Sequence, residues 1–243
     1  MIALFTDFGL NGPYNGQMKS VLLSKAPGID VIDLFADAPA YDPQAAAYLL
    51  AAYAGEFAPG TVFLCVVDPG VGSDRAPCVV HANRRWFVGP ENGLFEIVIR
   101  RAPADVLCWR IDWIPPRLSA SFHGRDLFAP IAAGLARGES LPGKSMAIGA
   151  VRRSEWPDDL PRTIYVDAYG NVMTGLRAAC FPASATVVVN GTPLRHARTF
   201  SEVPKGRAFW YENSNGLLEI AVNMDNAAER FNLRVGMSVH VEV

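Results

Sequence analysis

Apolar residues fall in short blocks along the first half of this chain, with polar, glycine-rich stretches between them. Residues 2–6 form one such block, followed by the polar run from Asp7 to Gly16. A helical pattern runs from Gln17 to Ala26, and Ile29–Leu34 again has the character of a strand. Pro43 suits the first position of a helix, and Gln44–Tyr53, rich in Ala and Leu, predicts a helix ending near Gly55. Thr61–Val67 is a continuous apolar run of strand length, as expected for a strand buried on both faces. Cys78–His81 and Trp86–Val88, with Ala82-Asn83-Arg84-Arg85 between them, predict a hairpin, and Gly93–Arg101 and Asp126–Arg137 predict two more helices. Strands alternating with helices imply an α/β fold, a Rossmann-like domain on a mainly parallel sheet.

The pattern changes after residue 138. Residues 139–162 hold Pro142, Gly143, Pro157 and Pro161 among polar residues, which suits a linker. Short strand-like runs follow at Thr163–Asp167, Thr186–Val189, Ala208–Tyr211, Leu217–Val222 and Ser238–Val243, and Asn190-Gly191 before Thr192–Leu194 is a two-residue hairpin signal. The expected division is an α/β domain over residues 1–145, a linker over 146–162 and a smaller antiparallel β domain over 163–243.

Half of the 243 residues are hydrophobic and 19% are charged, ample for packed cores. Lys and Arg total 22 against 24 Asp and Glu, with no basic run, so composition gives nucleic-acid binding no support. No apolar run approaches the ~20 residues of a membrane helix. The segment Met1–Asp7 lacks the basic region of a signal peptide, so a cytoplasmic location is expected. Cys65, Cys78, Cys108 and Cys180 show no C-x-x-C spacing and are expected to be buried, reduced thiols. His81, His123, His196 and His240 are scattered, with no zinc-like set, so neither a metal nor a cofactor is expected.

The candidate chemistry lies in two glycine-rich segments. Val67-Asp68-Pro69-Gly70-Val71-Gly72-Ser73-Asp74-Arg75 and Ser121-Phe122-His123-Gly124-Arg125-Asp126 can bring a carboxylate, a guanidinium and an imidazole to one pocket. Asp68, Arg75 and His123 could together hold and activate a water molecule, which points to an enzyme that uses water on a small molecule. The bland alternatives are a tight Asp-Pro-Gly turn and a histidine capping a helix. Gly72-Ser73-Asp74-Arg75 lacks the Lys-Ser/Thr ending of a P-loop. Asp7, at the end of the first strand, would repel a pyrophosphate but can accept hydrogen bonds from ribose hydroxyls. In the β domain, Asp167-Ala168-Tyr169-Gly170-Asn171 and Trp210–Gly216 combine aromatics with amides, either as plain hairpins or as groups that stack on and read a base.

Taken in order, Thr6-Asp7-Phe8-Gly9, Tyr14-x-Gly16-x-Met18-Lys19, Pro59-Gly60-Thr61-Val62-Phe63, Val67-Asp68-Pro69-Gly70-Val71-Gly72, Phe87–Leu94, Phe122–Pro130, Asp167-x-Tyr169-Gly170-Asn171 and Asn213-Ser214-x-Gly216-x-Leu218–Ala221 resemble the S-adenosyl-L-methionine (SAM) hydroxide adenosyltransferase family. These are SAM hydrolases that form adenosine, relatives of the fluorinating and chlorinating SAM enzymes. The resemblance implies an N-terminal α/β domain, a C-terminal β-barrel-like domain, and a homotrimer with its site between subunits. It implies a water-activating triad of Asp68, Arg75 and His123. By the same carry-over Asp7 holds the ribose hydroxyls, and Tyr41 and Ser121 line the ribose and sulfonium region. Asp167 and Ser214 meet the amino and carboxylate ends of methionine, and Tyr169 and Asn171 meet adenine. The chain departs from the family pattern at Ala36, where a His is usual, at Gly175, where Asn is usual, and at Asn215, where halogenating relatives place Arg. The competing expectations are a SAM-dependent halogenase, against which Asp68 and His123 argue because those relatives carry tyrosines there, and a non-catalytic SAM or adenosine binder.

Overall fold

Ile2–Thr6 (β1) and Val62–Val66 (β3) are fully enclosed strands, and they form the centre of the larger of two units. A computed structural model describes residues 1–103 and 106–243. It divides into compact units Met1–Ser154 and Glu155–Val243.

In the first unit a seven-stranded sheet runs in the order β2-β1-β3-β5-β4-β6-β7. The remaining strands are Val31–Phe35 (β2), Pro77–Ala82 (β4), Arg85–Pro90 (β5), Leu107–Ile111 (β6) and Gly143–Met146 (β7). The expected mainly parallel sheet is corrected to a mixed one. Strands β2, β1, β3 and β5 are parallel, whereas β4, β6 and β7 extend the sheet antiparallel. The cause is local. Asn83 and Arg84 take φ of 48° and 60°, the mirror-type two-residue turn that returns β5 alongside β4.

Strand alternation sends Leu4, Leu64 and Val66 to one face, where they pack with Met18, Leu22, Phe128 and Ala132. Those partners belong to helix α1 (Tyr14–Lys25) and to the helical segment ending in α4 (Ala129–Ala136). Phe5 points the other way, onto Phe35, which in turn packs on Tyr53 of α2 (Pro43–Tyr53). Asp42 caps α2 by accepting from the Ala45 N–H at 2.9 Å, with Pro43 at the expected first position.

Other expectations shift for identifiable reasons. Helix α3 covers only Glu96–Arg100, because Gly93 has φ +97° and the Asn92 side chain forms a turn by accepting from the Leu94 N–H. The helix expected over Asp126–Arg137 opens as a π-helical turn, Gly124–Phe128. Pro130 cannot donate back to the preceding turn, and the wider turn accommodates the missing bond. Strand β7 falls where a linker pattern was read; a Cβ on Gly143 would lie 2.5 Å from the Arg110 carbonyl oxygen, so glycine lets this edge close on β6.

The second unit holds two antiparallel sheets. One orders β12 (Ala208–Glu212), β13 (Leu217–Val222), β9 (Val172–Arg177) and β8 (Leu160–Val166); the other orders β11 (Thr192–Arg195), β10 (Thr186–Val189) and β14 (His240–Glu242). Both are open, and no closed barrel is formed among the described residues. They share one core that includes Val172, Val187, Trp210, Ile220 and Val239. Strand β9 was not read from the sequence, and a short helix, α5 (Ala227–Arg230), follows β13.

Cys65, Cys78 and Cys108 are buried free thiols as expected, whereas Cys180 is exposed because it ends a short surface turn after β9. No helix among the described residues is long and apolar enough to cross a membrane.

Candidate active site

The C-terminal ends of β1 and β3 open onto one cavity, the usual ligand position of an open α/β sheet. After β3 the chain makes a chain of tight turns. The Val71 N–H donates to the Asp68 carbonyl at 3.2 Å, and the Ser73 hydroxyl donates to the Gly70 carbonyl at 2.7 Å. Gly72 has φ +80°, and a Cβ there would sit 2.7 Å from the Ala120 carbonyl oxygen. Glycine thus lets the β3–β4 loop close against the turn that carries His123.

This approach assembles three of the residues singled out from the sequence. Arg75 clasps Asp68 through two donors, Nε to Oδ1 at 2.9 Å and Nη2 to Oδ2. The two side chains are only 9% and 4% exposed. Nη2 also lies 3.0 Å from His123 Nδ1. A guanidinium has only donors, so Nδ1 accepts and the imidazole proton resides on Nε2. Phe128, on the turn following His123, lies under the guanidinium with 5.3 Å to its ring centroid. Burial, then the Arg75 charge, lower the His123 pKa from its ordinary 6.5, while Asp68 and Asp126 oppose the shift.

Asp7 follows β1 directly. Its Oδ2 accepts from the Tyr41 N–H at 3.1 Å, and Tyr41 holds an unusual φ of 59°. Burial raises the Asp7 pKa; the N–H groups of Tyr41 and Asp7 lower it in part, and the nearby Asp68 charge raises it. Asp7, Tyr41, Asp68, Ser121 and His123 all line one cavity of about 230 Å³. Three aromatic residues complete it: Phe8, Tyr14 and Phe122, with ring centroids 5.5–5.7 Å apart. No role follows for them from the sequence alone, although Phe8 adjoins Asp7 and Phe122 stands between Ser121 and His123. A neighbouring cavity of about 610 Å³ is lined by Arg75 and also by His123, which borders both spaces.

In the second unit, Asp167, Tyr169 and Asn171 line a cavity of about 630 Å³ together with Phe200, Tyr211 and Met224. The Asp167 carboxylate shapes its own turn, accepting from the Tyr169 N–H at 2.9 Å, the Asn171 N–H at 2.8 Å and the Asn171 side-chain amide at 2.9 Å. Tyr169 is left 81% exposed. Ser214 does not line this cavity; it sits on the β12–β13 turn, its hydroxyl donating to Asn215 Oδ1 at 3.1 Å. Trp210, counted in the sequence among the base-stacking candidates, is buried, with Nε1 donating to the Ala185 carbonyl at 3.0 Å. Its neighbour Tyr211 faces the cavity, and the Tyr211 hydroxyl donates to the buried Glu219 at 2.6 Å.

Residues 2–144 match the SAM hydroxide adenosyltransferase N-terminal domain and residues 162–240 the C-terminal domain of the same family. The chain belongs to that family. It is 37% identical to the (R)-S-adenosyl-L-methionine hydrolase of Thermus thermophilus, over 99% of this chain and 98% of that protein. A fluorinase of Nocardia brasiliensis is 24% identical, over 100% of this chain and 97% of its own length. The crystal structure of an uncharacterized conserved protein from Thermotoga maritima superposes with a TM-score of 0.86 at 29% identity, covering 99% of both chains.

Proposed function

We propose that this chain is an enzyme that hydrolyses SAM to adenosine and L-methionine, by attack of an activated water or hydroxide on ribose C5′. The observation that carries this reading is the hydrogen-bonded Asp68–Arg75–His123 array, whose Asp68 and His123 line one cavity with Asp7, in a chain similar over its full length to a named SAM hydrolase.

The bonds within the array suggest how the nucleophile is held. Arg75 supplies positive charge, and His123, protonated on Nε2, can donate to the nucleophile's oxygen. Both Asp68 carboxylate oxygens accept from Arg75. A donor and a fixed cation stabilise hydroxide better than neutral water. Asp68 is left to orient the nucleophile's remaining O–H. Hydroxide is anionic and sulfonium cationic, so charge disappears as the C5′–O bond forms and the C5′–S bond breaks. An aromatic-walled cavity favours that change, since it solvates the separated charges less well than water does.

The remaining roles follow the resemblance. Asp7 takes the ribose hydroxyls, and Tyr41 and Ser121 border the ribose and sulfonium. Tyr169 and Asn171 take the adenine, and Asp167 and Ser214 the methionine ends. The cavity beside the triad is smaller than the ~300–1,000 Å³ usual for a small-molecule site. Its size suits the ribose and sulfonium and leaves the base to residues of the second unit. We place those residues on a neighbouring subunit, in a homotrimer whose ring closes by heterologous contacts. No cofactor is invoked.

The test is incubation of purified protein, in chelator, with each sulfonium epimer of SAM, followed by chromatography. Adenosine and methionine in equal amounts are expected. Because the Thermus relative is named for the (R) form, that epimer should be included. Tight binding without turnover would favour the binder reading, and 5′-chloro-5′-deoxyadenosine in chloride buffer the halogenase reading.

A further inference from the structure

Arg125 and Asp126 stand in the motif that supplies His123, yet neither has a part in the chemistry above. Asp126 Oδ2 accepts from the Ser119 N–H at 2.8 Å, reaching back to where the turn begins. Its carboxylate is clasped by Arg125, Nε to Oδ1 at 2.7 Å and Nη2 to Oδ2 at 3.0 Å. Arg125 in turn donates from Nη1 to Gln17 Oε1 on α1 at 2.8 Å, and its guanidinium lies 5.0 Å from the Phe122 ring centroid. Phe122 meets Phe8 and Tyr14 edge-on. Gly124 lets the turn sit this low, since a Cβ would lie 3.0 Å from Met18 Sδ and 3.3 Å from Val66 Cγ2.

We propose that Arg125 and Asp126 form a positioning pair that locks the 119–123 turn onto α1, and so sets Ser121, Phe122 and His123 around the reacting atoms. One carboxylate closes the turn, and one guanidinium ties it to a second element and backs an aromatic wall of the cavity. Two side chains thereby tie an irregular segment to its own start and to α1. Asp126 also adds negative charge that favours protonation of His123, against the effect of Arg75. The inference rests on the cavity being the site of SAM hydrolysis.

Asp126→Asn keeps the shape but weakens the clasp. It should lower kcat on the order of tenfold or more, since small misplacement of reacting groups is costly. KM for SAM should stay within about threefold, because the groups that touch substrate are all retained. Arg125→Met should act in the same sense while leaving Asp126 in place, and it serves if Asp126→Asn fails to fold. Amide hydrogen exchange gives a readout independent of turnover. The Ser119 amide should be protected in the unaltered protein and exchange at least about tenfold faster in a folded variant. Unchanged kcat in either folded variant, or a Ser119 amide that exchanges at the rate of an open peptide in the unaltered protein, would overturn the proposal. If the unaltered protein left SAM intact, the functional reading would fail, while Ser119 exchange would still decide whether the pair holds the turn.

Discussion

His123 is kept neutral by burial and by Arg75, and its Nδ1 lone pair is used to accept from that guanidinium. Protonation would remove the acceptor and set two cations against each other. The competent state should therefore persist below the ordinary 6.5, and kcat/KM should begin to fall only as pH drops through the lowered folded value. The unfolded chain takes up this proton first, so stability should also decline with falling pH between 6.5 and that lower value. A pH–rate profile checks this; an acid limb above 6.5 assignable to His123 would contradict it. Asp68→Ala, Arg75→Ala and His123→Ala should each cut kcat by about 10²–10⁴-fold, the usual worth of acid–base and charge-stabilising groups. Calorimetry should find adenosine affinity within a few fold of the unaltered protein. Near-normal turnover in all three would remove the triad from the chemistry. Asp68 was legible because it ends the apolar run Thr61–Val67, and Arg75 and His123 because they stand near Gly72 and Gly124 in turn-like segments. Phe8, Tyr14 and Phe122 were less so, since an aromatic next to a strand end more often belongs to a core, and only the fold shows these three meeting at a cavity.

At the scale of elements, the β3–β4 loop and the 119–123 turn depend on Gly72. Gly72→Ala combines a φ of +80° with a Cβ 2.7 Å from a carbonyl oxygen. It should push the two apart, lowering kcat far more than it lowers the melting temperature; a variant with full activity would show that the close approach is unnecessary. Glu96 of α3 does comparable work at the end of the first unit. It is fully buried, accepting from the Arg153 N–H at 2.6 Å and pairing with Arg100 and Arg152. Burial alone would raise its pKa, but the donors from Arg153, Arg152 and Arg100 outweigh that and hold it below 4.5. Glu96→Ala should destabilise the protein by about 3 kcal/mol in urea unfolding, because two arginines lose their partner; a loss under ~0.5 kcal/mol would count against this. Runs such as Thr61–Val67 were readable as strands because they are short, rich in Val and bounded by turn residues such as Gly60 and Pro69. Strand β9 was not, because Thr174-Gly175 breaks its pattern. The glycine is required there: a Cβ would sit 2.6 Å from Leu160 Cβ on β8. The polar edge strand β7 likewise carries no hydrophobic signal, and the antiparallel β4–β5 pair follows from the Asn83-Arg84 turn.

At the scale of the whole molecule, each chain supplies two cavities with different chemistry, one with Asp7, Asp68 and His123, the other with Tyr169, Asn171 and Tyr211. If sites are completed between subunits, inactive His123→Ala and inactive Asn171→Ala proteins should regain partial activity when dissociated, mixed and reassembled. Only a site shared between chains can pair an intact half from each. No recovery in verified mixed trimers, or a fully active monomer, would refute the shared site. The most direct test of the chemistry is hydrolysis of SAM in ¹⁸O-labelled water, with mass spectrometry of the nucleoside. Adenosine carrying one ¹⁸O at its 5′-hydroxyl, released with L-methionine, is the expected result; unlabelled adenosine, or no adenosine from protein that binds SAM, would contradict it.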